Sequence, residues 1–137
     1  MAGLTVRSNL CTGCMNCQTV CALRNARFHD RSASAIRVNL QLFSGKHTHI
    51  YCRQCTIPEC RNACPVDALY MNTDTGAWKI NSEICVMCGS CVAACPFGAM
   101  FNRNTGGPPF KCDLCDGKPA CVEACIFNAI TFRKDKP

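Results

Sequence analysis

Apolar and polar side chains alternate one for one along residues 35–42, where Ile36, Val38, Leu40 and Leu42 are separated by Arg37, Asn39 and Gln41. Alternation at period two predicts a strand with one buried face. Ser44-Gly-Lys46 then predicts a turn into a second strand over His47-Thr-His-Ile-Tyr51. A second hairpin is predicted where residues 69–71 and 77–80 flank Thr73-Asp-Thr-Gly76. Two further short strands, 4–6 and 129–132, are candidate partners as the first and last strands of the chain. Residues 17–27 form the best helix candidate, and Gly106-Gly-Pro-Pro109 breaks the chain before its last segment. No segment is long and polar enough to serve as a linker. Short strands mixed with short helices predict an α+β chain of one domain.

The repeats are more informative than the strands. Three segments share C-x3-C followed by a small apolar return: Cys60 to Leu69, Cys91 to Met100 and Cys121 to Ile130. In each, alanine (Ala68, Ala99, Ala129) lies four residues after the last cysteine, and a large apolar residue follows. Recurrence at intervals of about 30 residues implies duplicated units. The spacing predicts a helical turn that runs into a strand, with the alanine packed close to whatever the cysteines hold. The first cysteine group departs from this pattern, since Ala22 follows Cys21 where Pro65 and Pro96 follow Cys64 and Cys95, and Asn25 fills the alanine slot.

All 16 cysteines of the 137 residues fall into four groups of four. These are Cys11, Cys14, Cys17, Cys21; Cys52, Cys55, Cys60, Cys64; Cys85, Cys88, Cys91, Cys95; and Cys112, Cys115, Cys121, Cys125. The first and third read C-x2-C-x2-C-x3-C, the spacing of a bacterial ferredoxin run. The second and fourth lengthen the middle gap. Three thiolates come from one tight loop, and in two-cluster ferredoxins the fourth cysteine ligates the other cluster, which makes two runs a reciprocal pair. Four such runs with no spare cysteine point to four [4Fe–4S] clusters with iron on all 16 thiolates.

Other readings of the cysteines are weaker. A density of about 12% would suit a disulfide-stapled secreted domain. The N-terminus, however, shows no apolar signal core or twin arginine, and no apolar stretch approaches a membrane span, so a cytoplasmic chain with reduced thiols is expected. Zinc is the structural alternative, but its sites favour two C-x2-C knuckles separated by a longer spacer. His29, His47 and His49 are expected as surface or hairpin residues, the alternative being that one lies near a cluster and tunes it. Trp78 is expected to pack in its hairpin. Met15, Met87 and Met100 are expected to shield the cysteine loops, since apolar cover tunes a cluster's potential.

Charge changes meaning once the thiols are ligands. The formal +6, from 15 basic and 9 acidic side chains, treats cysteine as neutral. Four oxidised clusters with their thiolates contribute about −8, leaving the loaded protein near about −2. Basic residues are then expected either to compensate buried negative charge locally or to form a solvated basic face. Aromatics are 7% and the longest basic run is Arg133-Lys134, which excludes a nucleic-acid interface of the stacking kind. Without cysteine the hydrophobic fraction falls to about 36%, thin for a core, so the clusters are expected to act as core material and the iron-free chain to unfold. No P-loop, dinucleotide fingerprint or paired carboxylates appear, and no cysteine is free as a nucleophile. No catalytic residue is expected.

At these residues the chain resembles the four-cluster ferredoxin-like electron-transfer subunits of multisubunit oxidoreductases. Cys11-Thr-Gly-Cys-Met-Asn-Cys-Gln-Thr-Val-Cys21 with Ser34-Ala-Ile-Arg-Val38 looks like that family's opening, Cys52-Arg-Gln-Cys-Thr-Ile-Pro-Glu-Cys60 like its second run, and Lys111-Cys-Asp-Leu-Cys115 with Pro119-Ala-Cys121 like its fourth. The resemblance spans residues 11–130. The short form is most similar to the small iron–sulfur subunits of tungsten-dependent aldehyde oxidoreductases, with subunits of formate, hydrogenase or carbon monoxide systems as alternatives.

The resemblance implies two nested bacterial-ferredoxin-like units in one domain, 1–137: an outer half of residues 1–34 and 103–137, an inner half of 50–102, and a hairpin insertion at 35–51. It implies four ligand sets. These are Cys11, Cys14, Cys17 with Cys125; Cys112, Cys115, Cys121 with Cys21; Cys52, Cys55, Cys60 with Cys95; and Cys85, Cys88, Cys91 with Cys64. It also implies a large pterin-tungsten or pterin-molybdenum catalytic partner, with a flavin subunit or a ferredoxin as acceptor and no membrane span of its own. A freestanding polyferredoxin is the alternative. Such carriers are usually acidic for steering, which the basic excess here disfavours.

Overall fold

The structure is a computed structural model that describes residues 2–26 and 30–135. The expectations for Arg27 and His29 lie outside the described residues. Among the described residues six strands form three separate antiparallel ribbons: β1 (Gly3–Val6) with β6 (Ile130–Arg133), β2 (Ile36–Asn39) with β3 (Thr48–Tyr51), and β4 (Leu69–Asn72) with β5 (Ala77–Ile80). The first and last strands pair as expected, with Leu4 opposite Phe132 and Val6 opposite Ile130. Four helices join them: α1 (Asn16–Ala26), and the single-turn α2 (Glu59–Asn62), α3 (Ser90–Ala94) and α4 (Ala120–Glu123). No described helix is long and apolar enough to cross a membrane.

The β4–β5 hairpin closes through Asn72, whose carbonyl accepts from Gly76 N at 2.8 Å and whose side chain accepts from Asp74 N and Thr75 N. The β2–β3 hairpin corrects the expectation of a strand over residues 35–42. The ladder stops at Asn39, and residues 41–45 turn, with Gly45 N donating to the Gln41 carbonyl at 2.8 Å. The alternation continues past the point where anything lies beneath it: Leu42 and Phe43 are exposed. His47, expected as a surface or hairpin residue, belongs to the hairpin but is buried, and it accepts the Gln41 N–H on Nδ1 at 3.1 Å, which closes the turn from inside.

Two small apolar clusters make up the core, and cysteine belongs to both. Leu4, Ile36, Val38, Tyr51, Phe101, Phe110, Leu114 and Ile130 pack with Cys17, Cys112 and Cys121. Leu69, Cys91 and Met100 pack with Cys60, Cys64 and Cys95. Helices of four or five residues cannot persist alone, so what lies among their cysteines must hold them. The longer α1 is tied to the β2–β3 hairpin through Gln18, whose buried Oε1 accepts from Val38 N at 3.0 Å.

Candidate metal centre

Each cysteine run begins with a tight knuckle. The residue before the second cysteine is left-handed in all four: Gly13 (φ 76), Gln54 (φ 49), Met87 (φ 57) and Leu114 (φ 59). This twist turns the backbone N–H back toward the first thiol. Gly13 N donates to Cys11 Sγ at 3.4 Å and Gln54 N to Cys52 Sγ at 3.5 Å. Gly13 is also crowded, since a Cβ there would meet His47 Nε2 and Leu40 Cδ2 at 2.8 Å.

The return after the last cysteine is a second repeated turn. Asp67, Gly98 and Asn128, three residues past Cys64, Cys95 and Cys125, all have positive φ (50, 60 and 51), and these are the residue types that tolerate it. The following alanines Ala68, Ala99 and Ala129 are almost fully buried. Ala68 N donates to Cys64 Sγ at 3.2 Å and Ala99 N to Cys95 Sγ at 3.4 Å. The first run lacks this turn because Arg24 stands at the equivalent position and α1 continues to Ala26. Its Cys21 Sγ accepts instead from the Asn25 side chain at 3.7 Å and from Ala35 N at 3.3 Å. Ala35, buried and 14 residues beyond Cys21, takes the place of the missing alanine.

These turns gather the thiols around four small cavities. Cys11, Cys14, Cys17 and Cys125 line the first, with Met15 and Val38. Cys21, Cys112, Cys115 and Cys121 line the second, with Leu4 and Ile36. Cys52, Cys55, Cys60 and Cys95 line the third, with Trp78 and Met100. Cys64, Cys85, Cys88 and Cys91 line the fourth, with Met87 and Leu69. Every cavity therefore takes three thiols from one run and the fourth from another. Among the described residues no three His, Cys, Asp or Glu side chains converge as a site for a single metal ion. The donor set (four thiols, N–H groups aimed at sulfur, apolar walls) fits an iron–sulfur cubane.

A family model described as a 4Fe-4S dicluster domain matches residues 43–135, and a second, a 4Fe-4S binding domain, matches residues 8–24. The chain belongs to the 4Fe-4S dicluster domain family. Its chemistry is that of an iron–sulfur protein. Among curated relatives, the polyferredoxin-like component of the aliphatic sulfonate oxidoreductase of Pyrococcus furiosus is 41% identical over 93 residues, covering 68% of this chain and 53% of the relative. A component of the tetrathionate reductase of Archaeoglobus fulgidus is 36% identical over 95 residues, covering 66% and 44%. The chain thus spans about half the length of the curated relatives it matches. The solved active site complex BamBC of benzoyl coenzyme A reductase shares the fold, with a TM-score of 0.58 and 21% identity over 97% of this chain and 76% of that one.

Electrostatics in this dicluster-domain family member oppose free thiolates. Burial pushes the Cys17 and Cys60 thiols up to about 11 and Cys121 up to about 12, and raises Cys91, Cys112 and Cys115 as well. Cys88, exposed and hydrogen-bonded with Ser90, moves downward. Ligation requires the thiolate, so bound iron has to reverse the cost of burial. Proximity among the thiols gives the order of the cavities. Cys17 shares an apolar cluster with Cys112 and Cys121, and Lys111 lines both the cavity of Cys112 and that of Cys52. Cys60 and Cys95 share an apolar cluster with Cys64 and Cys91. The cavities built on Cys11, Cys112, Cys52 and Cys85 therefore follow one another in that sequence, with Cys14 exposed in the first and Cys88 exposed in the last.

Trp78 does more than pack in its hairpin: its indole N–H donates to the Cys55 carbonyl at 2.9 Å and fixes the second knuckle. His49, a hairpin residue, stands beside the first cysteine run, with Nε2 3.3 Å from Cys11 Sγ. Neither Gln54 nor Lys111 stands out in the sequence, yet they are buried together between cavities. The one signal available is that both sit inside or against cysteine runs.

Proposed function

We propose that this chain is a non-catalytic electron-relay subunit holding four [4Fe–4S] clusters in a row. The observation that carries the reading is the set of four thiol-lined cavities in succession, each completed by a cysteine from a second run. The ligand sets are Cys11, Cys14, Cys17, Cys125; Cys21, Cys112, Cys115, Cys121; Cys52, Cys55, Cys60, Cys95; and Cys64, Cys85, Cys88, Cys91. When bound, the clusters supply one-electron oxidation and reduction at low potential. The chain's own residues do the rest. Thiolates hold the iron, backbone N–H groups of Gly13, Gln54, Ala35, Ala68 and Ala99 stabilise negative charge on sulfur, and apolar walls limit water. The outer half, 1–34 with 103–137, carries the first two sets; the inner half, 50–102, carries the others; residues 35–51 are an inserted hairpin over the first.

Electrons enter or leave at the two ends, where Cys14 and Cys88 reach the surface. The reading assigns one end to a catalytic oxidoreductase partner in the cytoplasm, of the pterin-tungsten or pterin-molybdenum class that oxidises aldehydes, and the other to a flavin subunit or ferredoxin. The catalytic metal and substrate rest on the family resemblance alone; the oxidoreductase setting is supported by the relatives' names. Anaerobic purification from the native source tests it. A stable large partner, with about 16 iron and 16 sulfide on this chain, is expected, together with loss of coupling to the acceptor when the chain is removed. A lone chain that purifies without a partner, or that turns over substrate by itself, overturns the proposal.

A further inference from the structure

Among the described residues, Lys111 is the buried exception to the rule that lysine and arginine stay in water, at 8% exposure. Its Nζ donates to the carbonyls of Trp78 (2.5 Å) and Cys112 (2.9 Å) and to Gln54 Oε1 at 3.4 Å. All three ammonium donors are thereby used on neutral oxygens, and no described carboxylate forms an ion pair with it. Gln54, 1% exposed, is locked in turn: its Nε2 donates to the Cys112 carbonyl at 2.8 Å and its Oε1 accepts from Trp78 N at 2.9 Å. A buried cation without a counter-charge costs several kcal/mol, on the order of what unfolds a small domain. Something negative nearby must offset it. Lys111 lines both the cavity of Cys52, Cys55, Cys60, Cys95 and that of Cys21, Cys112, Cys115, Cys121.

We propose that Lys111 is a positioning residue whose fixed charge lies between the two middle cluster sites, stabilises their reduced forms, and so raises the reduction potential of those two sites alone. The inference rests on the four-cluster reading. Adding an electron makes a site one charge more negative, and a desolvated cation beside it favours that state far more than a screened surface charge does. The ammonium stands beside both sites, since Lys111 lines both cavities and donates to the Cys112 carbonyl at 2.9 Å. The first and last cavities are not lined by Lys111. Electrons would then rest preferentially in the middle of the row, as a reservoir between an entry and an exit of lower potential.

The test is a potentiometric titration followed by electron paramagnetic resonance on fully loaded wild type, Lys111→Met and Lys111→Arg. In Lys111→Met, two of the four midpoint potentials should fall by at least tenfold in the one-electron reduction equilibrium, about 59 mV, while two stay in place. Lys111→Arg, which keeps the charge, should return both towards wild type. Four potentials moving together, or none moving, overturns the inference. Should Lys111→Met fail to load iron, Lys111→Arg decides: recovery of wild-type iron supports a role for the charge, and failure shows that shape alone matters. Wild type holding fewer than about 16 iron defeats the four-cluster reading itself, a result read before any potential is measured.

Discussion

Replacing Cys21 by alanine tests the reciprocal pairing where it is most exposed. Cys21 belongs by sequence to the first run, but its side chain lines a cavity with Cys112, Cys115 and Cys121. Its removal takes one of four ligands from that site and strands the Ala35 N–H, which now donates to Cys21 Sγ at 3.3 Å. An orphaned buried donor costs about 1–3 kcal/mol, enough to loosen the entry into β2 but not to unfold a loaded protein. Iron should therefore fall by about a quarter, from about 16 to about 12 per chain. Double variants make the assignment. Cys21→Ala with Cys115→Ala strikes one site twice and should lose no more iron than either alone, since effects within one unit do not add. Cys21→Ala with Cys14→Ala strikes two sites and should leave about 8 iron. Iron and sulfide analysis of anaerobically loaded protein, with resonance spectra to confirm which signal is lost, reads the result. The reverse pattern, with Cys14 and Cys21 behaving as one site, refutes reciprocal pairing in favour of self-contained runs.

Gly13→Ala should destabilise by at least about 1–2 kcal/mol from backbone strain at φ 76, with more from the approach to buried His47; an unchanged melting temperature would contradict the crowded knuckle. Asp116→Asn breaks ion pairs with Lys79 and Arg24 (3.4 Å), yet its carboxylate is exposed, so the loss should stay under about 1 kcal/mol and shrink with salt. The Lys79 hydrogen bond holds that carboxyl below its usual range. Its contribution is thus present above about pH 4 and disappears as pH falls through the folded value, a difference measurable between wild type and variant at low ionic strength. Anaerobic removal of iron by a chelator should abolish the far-ultraviolet dichroism of the short helices; retention of native dichroism in the iron-free chain would show that the apolar clusters suffice.

Local chemistry makes parts of this fold legible in the sequence. The Thr73–Gly76 turn and the pairing of the first and last strands follow from alternation and turn residues. Asp67, Gly98 and Asn128 announce their left-handed turns by type, although the repeat reads most plainly in the alanine after each. What stays hidden depends on contacts distant in sequence. Asn25 reads as a broken repeat, whereas Ala35, across a loop, supplies the missing backbone donor to Cys21 Sγ and the Asn25 amide adds a second. The period-two pattern of 35–42 runs on beyond the point where a core exists to reward it. The burial of His47 and Lys111 is not legible in their type, because polarity is a property of the side chain and burial is a property of the assembled neighbours. The cysteine spacings name the chemistry; which run completes which site required the resemblance, since spacing alone leaves the partner open.

The β1–β6 ribbon gives the molecule a schedule as well as a shape. All eight thiols around the two cavities built on Cys52 and Cys85 are in hand once synthesis passes Cys95. The other two cavities wait for Cys112, Cys115, Cys121 and Cys125, and the strand that closes them onto β1 follows later still. Synthesis thus completes the inner thiol sets before the outer ones. The run made first, Cys11 to Cys21, stays a set of unmatched thiols until synthesis reaches the fourth run.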